Sequence, residues 1–324
     1  MISSCKSCND KRPDVSKIDV KLNWLRLEQD LPALNKNYDS AYAALNNRYG
    51  DFLPFFLKMV AHAVPPNDTA ISRDTFLHYV NNPYVTALRD TAMIKYKDVS
   101  DVQQQLTKAF QYSRYYFPKA PLPTVVTYVD GPPYAFTYDV NYLAIGLDGY
   151  FGQNSVFYSA MSDPIPAYVL RKLRREYIVP NSMNVWISGL YDFDLNGHKL
   201  VDAMVQKGKV YYAMKQLLPD TPDSLIFGYP DSTLTWLDQN ESEVWHFFIT
   251  NKLLYNTDPL VFSKYVNEAP NTSGMPAQAP GNIGSWVGYR IVKKYMERRE
   301  GVTLPQLMAE TDAQKILTDS RYKP

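Results

Sequence analysis

The sequence predicts a helix-rich α+β fold with a small antiparallel sheet, and three observations carry that reading. β-Branched and aromatic runs gather between residues 123 and 148 instead of alternating with helices along the chain. Apolar residues at helical spacing fill the stretches on either side. The first of those stretches is punctuated by Pro32, Pro54, Pro65, Pro66, Pro83 and Pro118, which cuts it into short helices.

In chain order, residues 1–15 read as a polar tether and residues 16–324 as one globular domain. Ile18, Val20, Leu22 and Trp24 alternate with Lys17, Asp19, Lys21 and Asn23, and this period of two predicts a half-buried strand. A helical part covers 28–120. The sheet follows over 123–148, where runs beginning at Thr124, Tyr134 and Tyr142 are separated by Asp130-Gly-Pro-Pro and Asp139-Val-Asn and read as an antiparallel meander. Residues 164–324 turn helical again. Val169, Leu170, Leu173, Tyr177 and Ile178 share one face, and Met183, Trp186, Ile187 and Leu190 share another after Pro180. A third helix runs from Leu200 past Tyr212 and stops at Leu217-Leu-Pro-Asp-Thr-Pro. Trp236, Leu237, Val244, Trp245, Phe248 and Leu253 mark two aromatic helices over 232–254. Beyond a Pro/Gly/Ser loop at 269–280, Ile283, Val287, Ile291 and Tyr295 stripe the last long helix. Thr303 to Gln306 and Thr311 to Gln314 both have capping-box spacing.

Charge excludes one class of partner. Lys and Arg number 34 against 33 Asp and Glu, so the net charge of +1 provides no global pull toward nucleic acid. No run approaches the roughly 18 apolar residues of a membrane span. The two cysteines, Cys5 and Cys8, both lie in the polar opening. They admit a redox pair, a zinc knuckle, an inert tail, or the remnant of a lipobox at Ile2-Ser-Ser-Cys5 with Cys5 acylated. The first two lack the helix start or second ligand pair that such sites need.

Chemistry-bearing patterns are sparse. A catalytic zinc helix presents two imidazoles one turn apart with a glutamate beside them, whereas His62, His78, His198 and His246 are scattered and HExxH is absent. Asp192, Asp194, Asn196 and Gly197 match the first half of a calcium loop, but Ala203 stands where the closing glutamate belongs, so a turn before a helix is the favoured reading. Gly281, Gly284 and Gly288 lie in and before an amphipathic helix and point to close helix packing instead of a nucleotide loop. Arg171, Lys172, Arg174 and Arg175, with Lys293, Lys294, Arg298 and Arg299 as a second group, read as solvated helix faces. No GxSxG occurs. Paired carboxylates remain open, because their partnership is spatial.

Several strings have a more specific meaning. Leu217 to Tyr229, Asn240 to Asp258, Pro280 to Val292 and the closing Ser320-Arg-Tyr-Lys-Pro324 resemble the gliding-motility lipoprotein B family, GldB, in content and order. Asp14-Val-Ser-Lys-Ile-Asp-Val and Ala144-Ile-Gly-Leu-Asp-Gly-Tyr-Phe-Gly152 extend the resemblance over nearly the whole chain. It implies a lipoprotein of Bacteroidetes-type bacteria, anchored through Cys5 with its soluble domain in the periplasm, that contacts envelope proteins of the gliding or secretion machinery. The layout also looks like zincin-type peptidases with the metal motif lost. In those proteins the HExxH helix would fall at about 168–191, where Glu176 is the sole carboxylate.

The expectation is therefore a degenerate zincin-like, non-catalytic envelope protein with neither cofactor nor metal. A relic groove is expected to be lined by Tyr191, Lys209, Tyr212, Glu243, Trp245 and Trp286. The rival expectations are an envelope hydrolase, peptidase or glycosidase-like, and a glycan-binding module.

Overall fold

Four strands form one mixed sheet in the order β1–β2–β4–β3, with β1 at Trp24–Arg26, β2 at Thr124–Tyr128, β3 at Ala135–Tyr138 and β4 at Tyr142–Gly146. The computed structural model describes residues 12–63, 72–131, 135–138 (through their backbone), 140–192 and 198–324. The sequence motifs at Cys5, Cys8, Asp194, Asn196 and Gly197 lie outside the described residues.

The expected antiparallel meander is corrected by the strand order. Only β3 and β4 pair antiparallel; β2 runs parallel to both β1 and β4, with Val125 opposite Trp24 on one side and Leu143 on the other. The physical reason is burial on both faces. Val125 to Tyr128 and Leu143 to Gly146 are buried without alternation, as strands covered on both faces must be, and such strands sit at the centre of a parallel arrangement. The period-two segment before β1 is also corrected: burial does alternate from Ile18 to Asn23, but ladder pairing begins only at Trp24.

Each face of the sheet serves a different core. Leu25, Val126, Tyr128 and Ala144 face a smaller N-terminal core, whereas Val125, Leu143 and Ile145 face a larger C-terminal one. The smaller core is built from short elements: a one-turn helix at Leu27–Asp30, a 3-10 turn at Leu31–Asn35, α1 (Tyr38–Tyr49), a π-helical turn at Phe56–Val60 and α2 (Arg73–Val80). Its centre is a set of interlocked rings, with Phe56 stacked on Phe52 and edge-on to Tyr79 and Tyr128. A buried carboxylate fastens this layer to the sheet. Glu28 accepts from Arg26 Nε at 2.7 Å and from the Thr127 hydroxyl at 2.8 Å, while Arg26 also donates to the Tyr96 carbonyl.

Helices α3 (Pro83–Lys95) and α4 (Ser100–Tyr116) lead to the sheet and give residues such as Leu88, Ala92, Leu106 and Phe110 to the larger core, most of which follows the sheet. That core holds α5 (Ile178–Leu190), α6 (Leu200–Leu217), α7 (Asp223–Phe227), α8 (Asp231–Gln239), α9 (Glu241–Thr250), α10 (Pro259–Val266), α11 (Ile283–Arg298), α12 (Leu304–Ala309) and α13 (Ala313–Ser320). The face expected over 169–178 is broken into a turn at Ala167–Leu170 and a 3-10 turn at Arg175–Tyr177. Pro180 explains the start of α5: it has no N–H to donate to residue 176, so it fits the first turn of a new helix but not the interior of a longer one.

The glycines behave as helix spacers. A Cβ on Gly288 would stand 1.7 Å from the Met204 carbonyl oxygen, and one on Gly208 would stand 2.2 Å from the Gly288 carbonyl carbon, so α6 and α11 cross with their backbones in contact. Thr303 and Gln306 form the expected capping box on α12. The second is corrected by one residue: Asp312, not Thr311, caps α13 by accepting from the Lys315 N–H. No helix among the described residues is long and apolar enough to cross a membrane.

Candidate functional site

The crossing of α6 and α11 positions a cleft. A hollow of about 420 Å³ opens between α5, α6, α7 and the start of α11 and is lined by Asn181, Asn184 and Ser188 from α5, Lys207 and Tyr211 from α6, and Asn267, Glu268 and Asn282 from the flank of α11. A second lobe of about 380 Å³ meets it at Lys172, Asn181, Asn184 and Glu268, and is otherwise walled by Val169, Leu173 and Val185. One half is thus rich in side-chain amides and the other is aliphatic.

An ion pair sits where the lobes join. Lys172 Nζ donates to Glu268 Oε2 at 2.6 Å, and burial pulls the lysine pKa down even though Glu268 opposes the shift. Glu268 Oε1 accepts from Asn282 Nδ2 at 3.3 Å, and the same amide nitrogen lies 3.3 Å from the Tyr211 hydroxyl. Burial raises the Tyr211 pKa, so the phenol stays protonated. Asn282 itself is in the left-handed region at φ 59°, the residue just before α11, where Gly281 packs its Cα directly on the Ala269 backbone. Its amide orientation follows from chemistry: a carboxylate only accepts, so the nitrogen faces Glu268. The oxygen, Oδ1, is then buried with no hydrogen-bond partner among the described residues.

On α11, three further strings behind the family resemblance converge. Arg290 makes a two-pronged contact with Glu241, whose Oε1 also accepts from the Tyr322 hydroxyl at 2.8 Å; Tyr322 packs edge-on against Trp245. The chain end is therefore docked by its last aromatic, Tyr322. Phe227 meets Tyr211 and Tyr289, and the Tyr229 hydroxyl donates to the Gly281 carbonyl at 2.7 Å.

The six residues expected to line one groove are distributed over several places. Tyr191 and Lys209 share a small hollow of about 210 Å³ beside α12. There Lys209 is buried and donates to the Met308 and Glu310 carbonyls, satisfying the end of α12, and burial brings its pKa down to about 8. Tyr212 lies in a separate tyrosine-lined cleft with Tyr112, Tyr116 and Tyr289. Trp286 is in the core with Arg290 over its ring, Trp245 is half-buried against Tyr322, and Glu243 is exposed. Helical spacing put five of these side chains on helices, with Tyr191 just past the end of α5, but could not say which faces meet.

The first basic group is also corrected. Residues 171–174 are not a helix face, and each cation of the group has a local use: Arg171 donates to the Gly228 carbonyl, Lys172 pairs with Glu268, Arg174 covers Tyr177, and Arg175 binds Asp101 while lying over Tyr96. In the second group Lys294 pairs with Glu297 and Arg299 with Asp319. His198 lies 3.4 Å from Asp202, and His246 bonds to Thr250. No group of three or more His, Cys, Asp or Glu among the described residues is placed to hold a metal ion.

A carboxylate pair does exist, at the sheet. Asp148, 1% exposed, accepts from the backbone N–H groups of Asp130 and Gly131, and the charge of Asp148 acts on Asp130. Burial raises Asp130 to about 7 and Asp148 to about 6. Asp148 is enclosed, and its bonds to the two N–H groups fasten the segment after β2 to the turn after β4. Neither Asp148 nor Asn282 was singled out in the sequence, although both lie in strings that carry the resemblance.

Fold and cleft together define a helix-rich α+β protein with a split polar and aliphatic cleft. The sequence profile of gliding motility protein GldB matches residues 8–324, and the chain belongs to that family. No curated protein and no solved structure matches it. The family ties the chain to gliding motility and to the cell envelope.

Proposed function

We propose that this chain is a non-catalytic lipoprotein, anchored through Cys5, that serves gliding motility or the export apparatus associated with it by holding a protein partner in the cleft between α5, α6 and α11. The observation that carries the reading is the state of the cleft's only carboxylate among the described lining residues. Both oxygens of Glu268 are engaged, one by Lys172 and one by Asn282, so it is tied into the wall instead of standing opposite a second acid or base. From α5 the residues facing this hollow are Asn181, Asn184 and Ser188. Neutral amides at a cleft surface suit reciprocal hydrogen bonding with a bound chain better than proton transfer.

The test is crosslinking in envelope fractions, with mass-spectrometric identification of co-purifying proteins, comparing the native chain with Asn184→Leu and Lys207→Glu. Partners captured by the native protein should be depleted in both variants, and Cys5→Ala should move the complex to the soluble fraction. An unchanged partner set in both cleft variants would overturn the reading.

A further inference from the structure

The ligand class of the cleft can be named from its walls, and this step rests on the functional reading just given. We infer that the cleft takes an extended, uncharged peptide segment, its backbone amides paired with the asparagines of the polar lobe and one aliphatic side chain seated between Val169, Leu173 and Val185.

Three observations lead there. Asn282 Oδ1 is a buried acceptor without a donor, in a residue only 6% exposed and held at a positive φ; a buried polar atom left unpaired costs on the order of 1–3 kcal/mol. Asn282 lines the polar hollow, so its amide belongs to the wall that a ligand N–H would face. Side-chain amides match a peptide group donor for acceptor, and Asn181, Asn184 and Asn267 bring three more to the same hollow. The adjoining aliphatic lobe then supplies a seat for an apolar side chain at the next position along the chain.

Charge and shape separate this ligand from its rivals. Two lysines, Lys172 and Lys207, stand against one glutamate in the lining, and Lys172 is neutralised by that glutamate, so only Lys207 at the exposed rim is left to attract charge. A strongly acidic or basic ligand has no matching field inside. A sugar would need an aromatic face to stack on, but the aromatic lining residues Tyr177, Tyr211 and Phe227 are buried at 4%, 9% and 3% exposure and present none.

The experiment uses the full chain and fluorescein-labelled blocked octapeptides, one alternating serine with valine or leucine and one in which the serines are replaced by lysine or aspartate. Fluorescence polarisation should give saturable binding for the uncharged peptide only. Asn282→Gly keeps the left-handed backbone free of strain while removing the acceptor, and it should weaken binding about tenfold. Asn184→Leu and Val185→Lys, one in each lobe, should weaken it by a similar factor, with thermal melts confirming that each variant is folded. A photo-crosslinking analogue of the peptide should label α5 or the Val266–Asn282 flank. Absence of saturable peptide binding, equal binding by all variants, or displacement of the peptide by an N-acetylglucosamine tetramer would overturn the inference. Peptide binding by the purified protein alongside an envelope partner set indifferent to the cleft variants would leave the ligand class standing and remove the functional reading. Cleft-dependent partners without peptide binding would do the reverse.

Discussion

The two cores on either side of the sheet are filled in opposite ways. The N-terminal core is made of short helices that cannot pack along their length, and large rings such as Phe52, Phe56, Tyr79 and Tyr128 bridge the distance between them. In the C-terminal core two long helices touch backbone to backbone, because Gly208 and Gly288 remove the side chains that would hold them apart. The difference teaches where each half is intolerant. Atoms cannot be taken from the first, and atoms cannot be added to the second. It also explains the location of the cleft: backbones fixed by contact hold the Asn282 end of α11 against Tyr211 of α6 without slack.

The largest expected effect comes from Phe56→Ala, which empties the middle of the ring set and should cost about 4 kcal/mol in chemical denaturation. Phe56→Leu should recover much of that loss, since the space left is smaller. If both cost less than about 1 kcal/mol, the ring core is not close-packed and the comparison fails.

Gly288→Ala should follow, at about 3 kcal/mol, because the new methyl meets the Met204 carbonyl and the helices must separate. Gly208→Ala strikes the same crossing, so the double variant should cost clearly less than the sum of the two. Strict additivity would mean that the glycines act separately, contrary to the geometry. Either glycine variant should also impair peptide capture, whereas Phe56→Leu should leave it unchanged.

The smallest effect sharpens the boundary between the cores. Asp130 and Asp148 have folded pKa values of about 7 and about 6, above the 3.8 of a free aspartate. For acids raised in this way the protonated form suits the folded state, so their contribution is fully present below pH 4 and is lost as pH rises through 6 to 7. Thermal melts should therefore decline by a few degrees between pH 5 and pH 8 at constant ionic strength. Asp148→Asn should flatten that slope, and an unaltered slope in the variant would assign it to other groups.

Some of this was legible in the residues alone, where the physics is local. The 3.6-residue spacing from Leu200 to Leu217 and from Ile283 to Arg298, the Thr303–Gln306 cap, and the small residues at 281, 284 and 288 each determine backbone behaviour within a few turns, and the structure keeps all of them. The ordered strings at 217–229, 240–258, 280–292 and 320–324 pointed to the family, and the fold brings three of them into contact through Glu241, Arg290 and Tyr322. Tertiary structure decided what depends on long-range approach. Strand order was one such matter, since runs of Val and Tyr pair equally well in either direction until burial on both faces selects a central place for β2 and β4. The cleft was another. Helical spacing placed Lys209, Tyr212 and Trp286 on their helices, with Tyr191 just past the end of α5, but which of them share a wall depends on long-range contacts such as the α6–α11 crossing, 80 residues apart. Asn282 had no signal of its own, because an asparagine before a helix looks like an ordinary cap until the fold holds its backbone left-handed and leaves its carbonyl oxygen without a donor.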